Sequence, residues 1–262
     1  MIGFATANVA LTWLSHLIAL SSIATAGYQW LTRFSSRKRV QKFFGGSNIT
    51  IVIPMRLLEK RRVIAEPDFV AASLLAEFLK AAKIDVTFDY VNPDGSIDLS
   101  TEGLVVICGP KNSSLVAKAM DHDPSLRFHE SEGHWKISER QGSQEFQSLL
   151  DRGEAESDTA YVARAPRRPG SRQTFVSIAG IHAQGSAIAV AHLTNKHKFK
   201  KLAKNVGGDL FSMVISGDFS DEPLRPNETY QLALYTHGPP QVHAPTGIIS
   251  TKSSAQGPKN EK

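Results

Sequence analysis

The chain has 262 residues, a formal net charge of +5 and a single cysteine, Cys108. One cysteine excludes an intramolecular disulfide, and this length leaves room for one domain with a substantial core. The positive charge is local, because the segment Arg33–Arg62 contains nine Lys or Arg and one Glu, a balance of +8, so that the rest of the chain carries −3. A basic surface that covers the whole protein is therefore excluded.

The first 32 residues carry no charged side chain, and their apolar stretch runs from Phe4 to Leu31. A membrane-spanning helix needs about 20 mostly apolar residues. Five cations follow within a short stretch, Arg33, Arg37, Lys38, Arg39 and Lys42. Cations beside a spanning helix tend to stay in the cytoplasm. The pattern predicts a single-pass anchor over 1–32, a basic juxtamembrane stalk over 33–46, and a cytoplasmic domain held at a cell inner membrane.

Two alternatives to the anchor stay open. A cleaved signal peptide is one, because the small residues Ala24, Thr25 and Ala26 suit a cleavage site, although the charge follows the apolar core and does not precede it. A buried or interfacial helix is the other. Next to a membrane, the basic stalk is expected to be attracted to anionic lipid at about 1 kcal/mol per cation. Nucleic acid is the less favoured partner, because these cations lie beside the predicted anchor.

The remaining segments alternate between strand and helix patterns. Strands are expected over 48–54, 84–91, 104–108, 159–165, 173–179, 210–216 and 230–235, with helices from Pro67, over 113–120 and over 186–193, and a hairpin or irregular insert over 128–137. This alternation predicts an α/β domain over 47–236, with a Rossmann-like, mostly parallel sheet and helices on both faces. The tail 237–262 is rich in Pro, Gly, Ser and Lys and is predicted to be disordered.

Two loops have the form of ligand sites, because ligands of such sheets bind beyond the carboxyl ends of the strands. The first follows the strand 104–108, where Gly109 permits a sharp turn, Asn112 or Ser113 can cap the next helix, and Lys111 adds positive charge. Free amide groups at a helix start favour an anion. An ordinary strand-to-helix turn uses the same residue types, so both interpretations remain open.

The second loop, Gly180–Ser186, follows the strand 173–179. Gly180 and Gly185 have the spacing of a phosphate-binding P-loop, but Ser186 follows Gly185 directly and the lysine of that motif is missing. P-loop ATP hydrolysis is therefore not expected. What remains is a glycine-bounded loop at a helix start, with His182 and Gln184 able to point into a crevice. His182 could be an acid/base group or a donor to a phosphate or ribose, and a packing or capping histidine is the alternative.

Other candidates are weaker. Arg164, on an otherwise apolar strand, could reach a carboxylate or phosphate, or could face the surface. Potential metal ligands collect over 121–123 and 129–134, but they fall in a predicted loop and hairpin without rigid spacing, so a solvated polar surface is expected and no metal site.

Three segments together carry a resemblance to a known group: Val106–Asn112 with its GPxN element, Asp158–Arg164, and Ser177–Ser186 with its GIHAxGS element. They resemble poorly characterised bacterial proteins with a Rossmann-like domain, over residues 48 to 216. The resemblance implies a bacterial cytoplasmic setting and a nucleotide-like ligand, and it supplies no reaction.

The leading hypothesis is a membrane-anchored domain that binds a small anionic, nucleotide-derived ligand and signals through oligomerisation or through the anchor. Its predicted ligand-binding residues are Gly109, Lys111, Asn112, Ser113, Arg164, Gly180, His182, Gln184, Gly185 and Ser186. One alternative is a hydrolase that cleaves a nucleotide or NAD on the same scaffold. The other is a structural anchor without a ligand.

Overall fold

The computed structural model describes residues 36–239, except 93, 99, 154, 169 and 170. The predicted anchor at 1–32 and most of the predicted tail lie outside the described residues. Within the described part of the chain, no helix is long and apolar enough to cross a membrane.

Five α-helices and twelve strands make up the described chain. The helices are α1 (36–44), α2 (Glu66–Ala81), α3 (Ser114–Asp121), α4 (Ala183–Thr194) and α5 (Lys196–Val206), with a 3-10 helix at Leu149–Arg152. The strands are β1 (Asn48–Ile53), β2 (Arg56–Leu58), β3 (Arg61–Val63), β4 (Asp85–Tyr90), β5 (Leu104–Ile107), β6 (Leu126–Ser131), β7 (His134–Glu139), β8 (Glu145–Phe146), β9 (Ser157–Pro166), β10 (Thr174–Gly180), β11 (Phe211–Ser220) and β12 (Arg225–Thr236).

Seven strands form the central sheet, in the order β12-β11-β9-β10-β5-β1-β4. The four strands from β10 to β4 are parallel to one another, with Ile51 of β1 opposite Phe88 of β4 and Val105 of β5. The pairs β10–β9, β9–β11 and β11–β12 are antiparallel, so β9 and β12 alone run against the other five strands. The prediction of an α/β fold with a mostly parallel sheet is confirmed.

The sheet is buried on both faces, as the nearly continuous apolar run of β1 predicts for a central parallel strand. Ile49, Ile51 and Ile53 of β1 pack under α1, α2, α4 and α5 on one face. Val52 belongs to the opposite core, which is covered by α3 and by the small sheet β6-β7-β8. Helices were expected on both faces. The second face differs, because the segment predicted as a hairpin or irregular insert belongs to a three-stranded sheet that covers most of this face.

Helix α1 belongs to the core of the domain. Val40, Phe43 and Phe44 are each at most 2% exposed. The Phe43 ring lies 4.9 Å from that of Phe44, 5.1 Å from Phe199 and 5.5 Å from Phe211, measured between centroids. The core therefore includes residues that the sequence analysis assigned to the stalk.

Candidate ligand-binding site

A cavity of about 460 Å³ opens beyond the carboxyl ends of β1, β5 and β10. Its wall is formed by the chain that follows each of these strands and by the first turn of α2. The chain leaves β1 for α2 on one face of the sheet and leaves β5 for α3 on the other. Ligands of open α/β sheets bind where successive connections change face in this way, and small-molecule sites have volumes of about 300–1,000 Å³.

Seven of the ten predicted ligand-binding residues line this one cavity. They are Gly109, Lys111, Asn112, Gly180, His182, Gln184 and Ser186. Ser113 does not line it, because it is buried as the N-cap of α3, where its Oγ accepts from the Val116 N–H at 3.4 Å and donates to the Gly95 carbonyl at 2.7 Å. The two loops therefore meet at a single rim of the sheet.

The glycines of the second loop are required by packing. A Cβ on Gly180 would lie 2.0 Å from the His182 carbonyl oxygen, and a Cβ on Gly185 would lie 2.6 Å from that of Thr159. Each glycine would also meet the other's Cα, at 2.9 Å and 2.8 Å. Their absent side chains let the start of α4 close against β9 and β10, which is one established use of glycine at a strand-to-helix turn.

An aspartate of the chain itself occupies part of the α4 N-terminus. Asp158 on β9 is fully buried, and its Oδ2 accepts from the backbone N–H of His182 at 3.1 Å and of Gly185 at 2.6 Å. Burial raises the pKa of Asp158, and the bonds that it accepts oppose the rise. A carboxylate at a helix N-terminus is favourable. Two backbone N–H groups at the start of α4 are therefore bonded to Asp158 and are not open to a ligand. The N–H groups of Ala183 and Gln184 are not bonded to Asp158.

His182 is oriented by a carboxylate of the 3-10 helix. Its Nε2 lies 2.9 Å from Oδ1 of Asp151, which also lies 3.2 Å from Nδ1 of His134. The second oxygen, Oδ2, is buried and has no hydrogen-bond partner among the residues that the structure describes. A hydrogen on Nε2 donated to Asp151 leaves Nδ1 of His182 unprotonated, and it can then accept a proton or a hydrogen bond.

Lys111 is positioned by an aromatic ring. Its Nζ lies 4.9 Å from the centroid of Trp135 on β7, within the range of a cation–π contact. Trp135 packs on Phe128, which lines the cavity. Partial burial lowers the pKa of Lys111, and the charges of Asp151, Glu130 and Asp158 oppose that effect. The ammonium group is thus held at the cavity rim beside an aromatic wall.

Two charged residues of the cavity were not identified from the sequence. Asp68, in the first turn of α2, is 5% exposed and lines the cavity together with Arg56. Burial raises the pKa of Asp68 to about 6, against the opposing charge of Arg56. The position of Asp68 in the sequence could have indicated this role, because Pro67 and Asp68 lie in the first turn of the helix that follows the carboxyl end of β1. Burial also raises the pKa of the Cys108 thiol to about 12, so that this thiol is not a nucleophile.

Arg164 lies away from the cavity. It is 4% exposed and donates to the carbonyl oxygens of Phe43 at 2.7 Å and of Asp209 at 2.8 Å. Its guanidinium also lies 5.0 Å from the centroid of the Phe43 ring. The predicted ligand contact is therefore replaced by a structural one, because the arginine satisfies carbonyl groups where α1 meets the end of α5.

The segments 121–123 and 129–134, which were predicted to form a solvated polar surface, are partly buried. Asp123 is 7% exposed and accepts from the Tyr161 hydroxyl at 2.6 Å and from the Ser212 hydroxyl at 3.2 Å. It therefore belongs to a buried polar network and not to a solvated surface. Across the described ranges, no three His, Cys, Asp or Glu side chains are grouped so that they could hold a metal ion.

No family model matches the chain, and neither the curated proteins nor the solved structures yield a match.

Proposed function

We propose that the domain binds a small anionic ligand, of nucleotide origin, in the cavity at the carboxyl ends of β1, β5 and β10, and that it acts as a membrane-anchored sensor or signalling module. One observation carries this proposal, the convergence of Arg56, Lys111 and His182 on a cavity of about 460 Å³. The helix α4 also begins there, with the Ala183 and Gln184 N–H groups not used by Asp158.

The charge of the cavity supports an anion. Its lining holds two permanent cations and a histidine against one carboxyl group, Asp68. A phosphate could receive charge-assisted hydrogen bonds from Lys111 and Arg56 and backbone bonds from the start of α4. Phe128 adds an apolar wall, which a nucleobase can contact and which inorganic phosphate would leave unused.

A hydrolase is the second candidate, and the contact between His182 and Asp151 is the observation that favours it. A carboxylate that fixes an imidazole leaves the opposite ring nitrogen ready to act as a general base. In this alternative, His182 Nδ1 takes a proton from water as the water oxygen bonds to a phosphorus atom of the nucleotide or to the ribose carbon that carries the base of NAD. The bond from that atom to the leaving group breaks, and Asp68, when protonated, gives its proton to the leaving group.

Thermal unfolding of the full chain tests ligand binding. Nucleoside mono-, di- and triphosphates and NAD are compared with uncharged nucleosides. If the domain is a binding module, at least one anionic compound should raise its unfolding temperature and the uncharged nucleosides should not. The reason is that a compound stabilises the folded state only if it binds to that state. Mass spectrometry of small molecules that copurify with the chain supplies further candidates. If neither approach yields an anionic ligand, the proposal is wrong.

Lys111→Ala identifies the cavity as the site of binding. A charge-assisted hydrogen bond contributes about 1.5–3 kcal/mol, so the affinity for the compound found should fall about 10- to 100-fold. Lys118→Ala removes the same charge from an exposed position on α3 and should leave the affinity unchanged. Chromatography of the incubated nucleotide separates the two candidates. A sensor returns it intact, whereas a hydrolase consumes it and loses turnover in His182→Ala.

A further inference from the structure

A short basic hairpin projects beside the cavity. Strands β2 and β3 pair with each other alone, with Leu57 opposite Arg62 and Leu58 opposite Arg61. The side chains of Leu57 and Leu58 are 74% and 63% exposed, the two highest values among the large apolar residues of the described chain. Successive side chains of a strand point to opposite faces, so Leu57 shares one face of the hairpin with Arg62 and Leu58 shares the other face with Arg61. Both faces of the hairpin therefore expose a large apolar side chain, and the β2 edge is the candidate contact surface.

The same hairpin concentrates positive charge. Residues 56–63 contain four exposed cations, Arg56, Lys60, Arg61 and Arg62, against one acid, Glu59. Apolar side chains set among cations are typical of segments that lie in the interface of an anionic bilayer, where the apolar groups enter the acyl boundary and the cations remain with the lipid phosphates. Nucleic acid would use the cations but would leave both leucines in water.

The hairpin has a fixed place relative to the cavity. It begins at Arg56, which lines the cavity, and the chain returns from it to Asp68, which lines the same cavity. Phe69, the next residue in the first turn of α2, is 59% exposed. The three exposed apolar side chains therefore flank the cavity at the carboxyl edge of the sheet.

We propose that the hairpin β2–β3, together with Phe69, docks through its β2 edge onto an anionic phospholipid surface, with Leu57 and Leu58 inserted among the lipids and Lys60, Arg61 and Arg62 bound to the headgroups. This contact is separate from the stalk over 33–46 and from the predicted anchor. It brings the rim of the cavity to the membrane surface. It depends neither on the identity of the cavity ligand nor on binding of any ligand.

Site-directed fluorescence tests the contact on the full chain. Leu58→Cys carries an environment-sensitive dye, and the chain is reconstituted into nanodiscs of phosphatidylcholine, alone or mixed with phosphatidylserine, with a lipid-borne quencher. Cys108 does not compete for the label, because it is 2% exposed and its pKa is raised to about 12. Leu232→Cys is the matched control, since it is a leucine that is 46% exposed on β12, at the far edge of the sheet.

The expected result is quenching of the label at position 58 in the phosphatidylserine discs and none at position 232. Arg61→Gln with Arg62→Gln should reduce the ratio of quenched to unquenched label about 30-fold, at about a fivefold loss per cation. The double exchange Lys200→Gln and Lys201→Gln, at exposed positions of α5, should leave the ratio unchanged.

Three results would overturn the proposal. One is an unquenched label at position 58 in anionic discs, and another is equal quenching in neutral and anionic discs. The third is a label that is already shielded without lipid, since this would assign the leucines to a contact between proteins.

Discussion

Asp68 is the residue whose ionisation most directly links the cavity to the stability of the protein. Its pKa rises from 3.8 to about 6 on folding, so between these values the folded chain binds more protons than the unfolded chain. The free energy of unfolding should therefore fall as pH rises from about 4 to about 6, by at most about 3 kcal/mol. Asp68→Asn should remove this dependence and should be more stable than the parent protein at pH 7. Urea unfolding at a series of pH values measures the difference.

Asp85→Asn is the control for this measurement, because it removes an exposed carboxylate of β4 and should leave the pH dependence in place. Arg56 is the charged group that acts on Asp68, and it favours the ionised form. The charge of Asp68 in turn helps to raise the pKa of Cys108, whose thiol stays neutral. An Asp68→Asn protein with the parent's pH dependence between 4 and 6 would show that the carboxyl group titrates normally, and the account of a desolvated acid would be wrong.

At the scale of elements, the start of α4 depends on Asp158. This carboxylate accepts from the N–H groups of Thr159, His182 and Gly185, at 2.8, 3.1 and 2.6 Å. An unsatisfied buried donor costs about 1–3 kcal/mol. Asp158→Ala should therefore lower the free energy of unfolding by about 3 kcal/mol or more. Asp158→Asn, which keeps one acceptor oxygen, should cost less. Chemical denaturation gives both values.

Hydrogen exchange identifies the cause of that loss. In Asp158→Ala the amides of His182 and Gly185 should exchange faster than in the parent protein. Asp123→Ala is the matched control, because Asp123 is also a buried acceptor of backbone N–H groups, those of Ser125 and Leu126. It should be destabilised as well, without faster exchange at the start of α4. Unchanged exchange at His182 and Gly185 in Asp158→Ala would contradict the assigned role.

The meeting of the two glycine loops was predictable from the sequence, since the carboxyl ends of parallel strands share one edge of a sheet. The partners of those loops were not. Asp151 reaches His182 across 31 residues of chain and Asp158 reaches Gly185 across 27. Nothing in the local pattern around either aspartate indicates such a contact. Arg164 shows the same limit, because its acceptor on Phe43 is 121 residues away.

At the scale of the whole molecule, sequence patterns predicted the antiparallel end of the sheet least well. Strands over 159–165 and 173–179 were expected, and β9 and β10 cover these ranges and pair with each other antiparallel. Their order in the sheet depends on β11, which returns beside β9. Such long-range pairing depends on the whole fold. The antiparallel end of the sheet presents an apolar face to α1, and the sequence around α1 does not predict that contact.

Helix α1 determines the point at which the folded unit begins. Fully burying a large apolar side chain contributes about 1.5–3 kcal/mol, and α1 buries Val40, Phe43 and Phe44. A fragment of residues 47–239 loses all three contacts, exposes Phe199 and Phe211, and leaves the buried guanidinium of Arg164 without its acceptor on Phe43. We expect it to unfold at least about 5 kcal/mol more easily than a fragment of residues 36–239, or to aggregate.

Denaturation of the two fragments side by side provides the measurement, with Phe43→Ala in the longer fragment as an intermediate case. Phe43→Ala removes the ring but keeps the backbone carbonyl that Arg164 uses, so it should cost about 3–5 kcal/mol and leave the fold intact. Equal stability of the two fragments would mean that α1 packs without contributing to folding. The domain would then begin at β1, and residues 36–44 would act only as a connection to the chain before them.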